Sequence, residues 1–184
     1  MSKLRISVPF TDEQTITSLK AGDQVTISGT IYTARDAAHK RMAEQVEAGE
    51  KLPFDINNQV IYYVGPTPAK PGEIIGSAGP TTSSRMDKYA PGLLDLGLKG
   101  MIGKGYRNQS VIDSIEKNNA VYFGAVGGSA ALISRSIKSV EMIAYKDLGT
   151  EAIRKMEIED FPAIVINDSQ GNDWYQLALE KYHN

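Results

Sequence analysis

The sequence predicts an α/β domain whose central sheet is at least partly parallel. Two observations carry that expectation. Strand-like runs alternate with helical ones along most of the chain, and several apolar runs break off into glycine-containing loops, as strands do when a helix returns the chain across a sheet. An apolar fraction of 41% over 184 residues suits one domain spanning 1–184 with a core of its own.

In order, "LRISVPF" alternates like a strand, and Thr11 followed by Gln14 has the capping-box spacing that opens a short helix through Leu19. "VTISGTIYTA" (25–34) is rich in β-branched residues and reads as a long strand. In "RDAAHKRMAEQVEAGE", Arg35, His39, Met42 and Val46 recur at helical spacing and share one face, with Arg35 at the mouth of the helix. "QVIYYVGP" (59–66) is a second strand, and the three prolines of "PTPAKPGE" make the next segment a loop. A short strand is expected to end near Ser77. A helix follows from Ser83 or Ser84, interrupted or ended by Pro91 and Gly92. "LKGMIGKG" supplies a short strand, "QSVIDSIEKNN" an amphipathic helix, "AVYFGAVGG" a buried strand and "SAALISRSIK" a helix. "SVEMIAYKDLG" and "FPAIVINDSQG" add two strands.

Composition narrows the function classes. Lys and Arg total 20 against 22 Asp and Glu, a net charge of −2, so no broad field argues for nucleic acid or an anionic membrane. Any anion is bound locally. "MSKLRISVPF" lacks the apolar core of a signal peptide and no run is long enough to span a bilayer, so the expected location is cytoplasmic. The chain has no cysteine and therefore no thiolate for a cluster or a structural zinc. With two histidines far apart in sequence, no metal site of its own is expected.

Sites in open α/β sheets gather beyond the carboxyl ends of strands, and four such loops (35–39, 79–85, 103–107 and 126–129) carry suggestive residues. "GPTTSSRMDKY" places four hydroxyls, Thr81, Thr82, Ser83 and Ser84, before Arg85 and a helix start, more than one cap requires. Hydroxyls, backbone N–H groups and a guanidinium fork suit an anion. Lys104 lies between two glycines that allow close approach, but G-x-x-x-x-G-K-[ST] is missing there, and "AVGGSAAL" lacks G-x-G-x-x-G, which argues against nucleotide and dinucleotide sites. His39 reads as a helix-surface histidine, and Asp36 as a cap or a partner for Lys40. His183 is expected to fray with the terminus. Arg35, Arg85 and Lys104 together suit a dicarboxylate. No strong general base or electrophile is evident, so as catalytic machinery the set is incomplete.

"GDQVTISGTIYTARDAAHKR", "IYYVGP", "GPTTSSRMDKY", "MIGKG", "AVGGSAALIS" and "DLGTEAIRKMEIEDFPAIVINDSQGND" resemble, in order and over nearly the whole chain, the β subunit of class I iron-sulfur fumarate hydratase, which is the C-terminal domain of single-chain versions. The β subunit of L(+)-tartrate dehydratase is a near relative. The resemblance implies a swivelling β/β/α three-layer fold and an α subunit partner whose cysteines hold a [4Fe-4S] cluster with one iron open to substrate. It implies a hydro-lyase of fumarate and malate, with tartrate or a mesaconate-type substrate as alternatives. Family roles fall on Arg35, Arg85 and Lys104 as substrate-binding cations and on Thr81 and Thr82 as the catalytic hydroxyls, Thr81 as the proposed base. Tyr106 and Arg107 stand where smaller or different residues are expected. Alone, the chain is expected to lack hydratase activity and to be able to form a homodimer; a non-catalytic anion-binding module is the reading from another class.

Overall fold

Five parallel strands set the frame: β1 (Leu4–Val8), β2 (Gln24–Thr33), β3 (Val60–Tyr62), β4 (Gly100–Gly103) and β5 (Val121–Ala125). Each pairs in parallel with the next in sequence. The computed structural model describes residues 2–125 and 130–183. Two antiparallel strands, β6 (Ile137–Ala144) and β7 (Ile153–Asn167), complete a seven-stranded sheet. The 15-residue β7 pairs with β2, β5 and β6, so hydrogen bonding runs from β2 through β3, β4, β5 and β7 back to β2.

Near-continuous apolar runs such as "VIYYV" and "VYFGA" belong to strands buried on both faces. Val60 and Tyr62 of β3 and Val121 and Phe123 of β5 join one core with Ile27, Ile31, Phe161 and Val165. The alternate residues Ile61, Tyr63, Met101 and Tyr122 face a second core closed by three helices. These are α2 (Asp36–Glu47), α3 (Ala90–Asp95) and α4 (Gln109–Lys117), which contribute Ala38 and Met42, Leu93 and Leu94, and Val111 and Ile115.

Register decides where the loops emerge. Thr33 is opposite Tyr62, Tyr62 opposite Ile102 and Ile102 opposite Phe123, one row across four parallel strands. Arg35, Val64, Lys104 and Ala125, two residues further along, therefore leave the sheet at the same edge.

Several local features differ from the sequence reading. Helix α1 (Glu13–Ser18) is capped by Asp12, whose carboxylate accepts from the Thr15 N–H at 2.7 Å, rather than by Thr11. No strand forms near Ser77. Thr67 holds that segment as a loop: its N–H donates to Ser77 O at 3.0 Å, its Oγ1 accepts from the Ser77 N–H at 2.7 Å, and its carbonyl accepts from Gly76. The stretch after Thr82 is a 3₁₀ turn, Ser83–Met86, and α3 starts anew with Pro91 in its first turn, where a missing N–H costs nothing. Helix α5 (Ala130–Ser136) leads into a strand as expected, but β6 already starts at Ile137 and ends at Ala144, and Lys146–Glu151 forms a 3₁₀ helix where the strand was expected to continue. Strand β7 starts eight residues before "FPAIVINDSQG", at Ile153, and a helix absent from the sequence reading, α6 (Trp174–His183), contains His183. Among the described residues no helix is long and apolar enough to cross a membrane.

The cap is directly testable. Asp12→Ala is expected to lower stability to urea by about 1 kcal/mol, whereas Thr11→Ala leaves the midpoint unchanged; equal losses would restore Thr11 as the cap.

Candidate functional site

The hydroxyl-rich segment is stitched to the carboxyl ends of β3 and β4 by backbone hydrogen bonds. Thr81 N–H donates to Tyr63 O at 2.7 Å, Lys104 N–H to Thr81 O at 3.3 Å and Ser83 N–H to Lys104 O at 2.9 Å. Thr82 and Lys104 thereby form a parallel bridge. Gly103 is required there by close approach: a Cβ at that position would lie 1.9 Å from Ser83 Oγ. Thr81 is half-buried, whereas Thr82, Arg85 and Lys104 are exposed.

Arg35 reaches the same edge from the end of β2. Its guanidinium lies across Gly65, where a Cβ would come within 2.5 Å of Nη1, which explains the glycine of "IYYVGP". Its Nε is 3.8 Å from Glu151 Oε1, and the same oxygen accepts a long 3.4 Å hydrogen bond from Ala37 N–H in the first turn of α2. Asp36 pairs with Arg85, not with Lys40. Of the adjacent residues Arg35 and Asp36, one is thus itself a cation of this edge and the other the anchor of a second cation. Among the described residues, Arg35 Nε, Asp36 Oδ1 and His39 Nε2 are buried without a hydrogen-bond partner, a concentration of unmet polar atoms at the mouth of α2.

Three of the four sequence-derived loops are therefore brought together, with Arg35, Thr81, Thr82, Arg85 and Lys104 at one edge. The fourth, 126–129, lies outside the described residues.

His39 is not a surface residue; it is 1% exposed, edge-on to Tyr63 at 5.4 Å between ring centroids. Its Nδ1 is 2.8 Å from Arg35 O, and a carbonyl only accepts, so the proton resides on Nδ1. Burial, aided by the Arg107 charge and opposed by the Arg35 carbonyl and Asp36, lowers the His39 pKa to about 4.

Beneath the loops lies a buried polar network. Arg107 Nε donates to Asp87 Oδ1 at 2.7 Å and its Nη2 to Tyr63 OH at 3.2 Å, with the guanidinium 4.8 Å from the Tyr122 ring centroid. Asp87 Oδ2 accepts from the Asn108 N–H at 2.8 Å. Tyr122 donates its proton to Gly105 O at 2.8 Å, so Ser83 Oγ, 2.8 Å away, donates to the phenol oxygen. Burial works against the Arg107 charge, but Tyr63 and Asp87 outweigh it and hold its pKa above the ordinary guanidinium value. Tyr106, by contrast, is exposed and packs on Tyr175 of α6 at 4.5 Å.

Glu151, Asp87 and the partnership of Asp36 with Arg85 were not apparent from the sequence. An acidic residue far along the chain carries no local signal of what it will face; only the "RD" dipeptide at the end of a strand could have hinted that Asp36 shares the site with Arg35. The chain has no cysteine, and among the described residues no group of three or more His, Cys, Asp or Glu could hold a metal. A metal cluster is thus not fitted by these side chains.

These features define a mixed α/β domain that carries Arg35, Arg85, Lys104, Thr81 and Thr82 at the carboxyl edge of its parallel strands. The chain belongs to the fumarase C-terminus family, whose model matches residues 2–178. It is 43% identical over 160 residues to the anaerobic class I fumarate hydratase of Escherichia coli K12, covering 86% of this chain and 29% of that protein. It is 38% identical over 174 residues to a putative L(+)-tartrate dehydratase subunit beta of Methanocaldococcus jannaschii, covering 91% of this chain and 89% of that protein. A putative class I fumarate hydratase of Geobacillus stearothermophilus is 35% identical across 97% of this chain and 35% of its own length. The chain spans about a third or less of the fumarate hydratases it matches and most of the tartrate dehydratase subunit.

The unfolded chain takes up the His39 proton near pH 6.5 and the folded chain only near pH 4. Protons therefore favour the unfolded state between those values, and stability falls as pH drops through that window. The loss from this group is expected to total on the order of 3 kcal/mol. His39→Gln is expected to flatten the slope of unfolding free energy against pH between pH 6.5 and pH 4; an unchanged slope would contradict the assignment.

Proposed function

We propose that this chain is the β subunit of a hydro-lyase that, with an α subunit, interconverts (S)-malate and fumarate plus water. The observation that carries the reading is that Arg35, Thr81, Thr82, Arg85 and Lys104 all stand at one sheet edge. The swivelling β/β/α description belongs to the same proposal. Supporting it are the family match and relatives named as a fumarate hydratase and a tartrate dehydratase subunit beta.

In this reading Arg35, Arg85 and Lys104 bind the two carboxylates. Conversion of malate to fumarate removes a proton from C3 and hydroxide from C2. As the C3 proton leaves, negative charge spreads into the adjoining carboxylate, and a cation already fixed beside it lowers the barrier because no solvent must reorganise. Thr81 receives the proton. A threonine hydroxyl is a weak base, so its own proton must pass to a carboxylate supplied by the α subunit. Lewis-acid polarisation of the C2 hydroxyl is the chemistry a [4Fe-4S] cluster would supply, held by the α subunit because this chain has no thiolates. Asp36 and Glu151 keep the guanidinium groups oriented before substrate arrives.

The test is anaerobic assembly with the α subunit, iron and sulfide, assayed on fumarate, L(+)-tartrate and mesaconate. Fumarate turnover that requires both chains is the expected result. Turnover of tartrate alone would transfer the reading to tartrate dehydratase, and a cluster-loaded assembly inert on all three would leave an anion-binding module. Arg85→Ala in the active assembly is expected to reduce kcat/KM on the order of 100-fold or more with the fold retained by circular dichroism. Wild-type turnover would remove Arg85 from the site.

A further inference from the structure

Arg85 and Lys104 project from two segments that are fastened to each other at both ends. At the first end, backbone bonds join Thr81 and Ser83 to Lys104. At the second, both oxygens of Asp87 engage the other segment, Oδ1 the Arg107 Nε at 2.7 Å and Oδ2 the Asn108 N–H at 2.8 Å. Arg85 lies in the 3₁₀ turn that Asp87 terminates, and Lys104 is three residues before Arg107. Between the two fastenings, the Ser83, Tyr122 and Gly105 hydrogen bonds tie the middle of the loops to β5.

The ion pair is buried deeply enough to act as a rigid strut. The Arg107 side chain is 0% exposed and that of Asp87 7%, and the guanidinium is held between Tyr63 and Tyr122 with ring centroids 5.2 and 4.8 Å away. Arg107 Nη1 meets Met101 Sδ at 3.5 Å, and Nη2 meets Tyr63 OH. Hydrogen bonds of this kind fix direction as well as distance, and the low polarity around them makes a half-broken arrangement costly.

We infer that the buried Asp87–Arg107 pair is a positioning device that sets the separation of Arg85 and Lys104, and through it the chain length of the dicarboxylate accepted. This inference rests on the dicarboxylate reading of the site. Neither Asp87 nor Arg107 touches the substrate. They act through the cations on either side, as a strut sets the opening of a calliper.

The assembled two-chain enzyme tests this with competitive inhibition by malonate, succinate and glutarate, which carry the same two charges at increasing separation. Wild type is expected to prefer one length. Asp87→Asn keeps the shape but removes the charge and places an amide donor against the Asn108 N–H; Arg107→Lys keeps the charge but loses the fork. Both are expected to compress the ratio of inhibition constants between best and worst diacid and to raise KM more than they lower kcat. A misplacement of about 1 Å costs on the order of 100-fold at such sites. Tyr63→Phe, which removes only the hydroxyl that accepts from Arg107, is expected to show a smaller compression with normal assembly, so the test does not depend on the charge variants folding. Ile115→Val, in the helical layer away from the loops, serves as a control that loosens packing without altering the ratio.

A folded Tyr63→Phe and a folded Asp87→Asn or Arg107→Lys variant that keep the wild-type ratio, losing only thermal stability or active fraction, would overturn this inference alone. No inhibition of wild type by any of the three diacids would overturn the dicarboxylate reading and this inference with it.

Discussion

The site depends on the common direction and register of four strands. Because β2, β3, β4 and β5 run parallel with Thr33, Tyr62, Ile102 and Phe123 in one row, whatever follows each strand emerges at the same edge. A one-residue slip would turn each side chain to the other face. The hydrophobic pattern prevents it: Tyr62 and Phe123 belong to one core and Tyr63 and Tyr122 to the other, so a slip would exchange two packed layers. Burial on both faces of the sheet thus indirectly places Arg35 and Lys104.

On that edge the electrostatics are balanced locally. Arg85 has Asp36, Arg35 has Glu151 and Arg107 has Asp87, which fits a chain whose net charge is only −2. The three pairs differ in consequence. At the half-exposed Arg85, and less so at the partly buried Arg35, solvent screens the attraction, and a ligand carrying charge can compete for the cation. At Arg107 no solvent intervenes, and the sealed pair lies out of a ligand's reach. The same desolvation keeps His39 neutral under α2, where its Nδ1–H returns to the Arg35 carbonyl. One burial gradient, from the exposed Lys104 to the sealed Arg107, separates residues that can meet a ligand from those that hold them in place.

Much of the fold was legible because the strands are apolar and terminate in glycines. β1 to β5, α2, α4 and α5 follow the hydrophobic periods directly. The first half of β7 was hidden by Arg154, Lys155, Glu157 and Glu159, which interrupt the inward-facing Ile153, Met156 and Ile158. Helix α6 was hidden because its Leu177, Leu179 and Tyr182 remain exposed and mark no buried stripe. For the site, residue type and position after a strand selected Arg35, Thr81, Thr82, Arg85 and Lys104 for one edge. Which carboxylate faces which cation depended on long-range pairing: Asp36 meets a residue 49 positions away and Arg107 one 20 positions away, beyond any local pattern. His39 was misjudged as exposed because a polar residue on an amphipathic helix is ordinarily solvated, and here the aromatic neighbours Tyr63 and Tyr89 enclose it.

The central claim, that this edge binds a dicarboxylate through its own residues, is tested most directly by backbone amide NMR of the full chain titrated with succinate. The account expects saturable shifts concentrated at Arg35, Asp36, Thr81, Thr82, Arg85 and Lys104, weakening with added salt as a local charge interaction must. Saturable shifts centred instead on the surface of Arg5, Arg135 and Lys138, with the sheet edge unmoved, would contradict it.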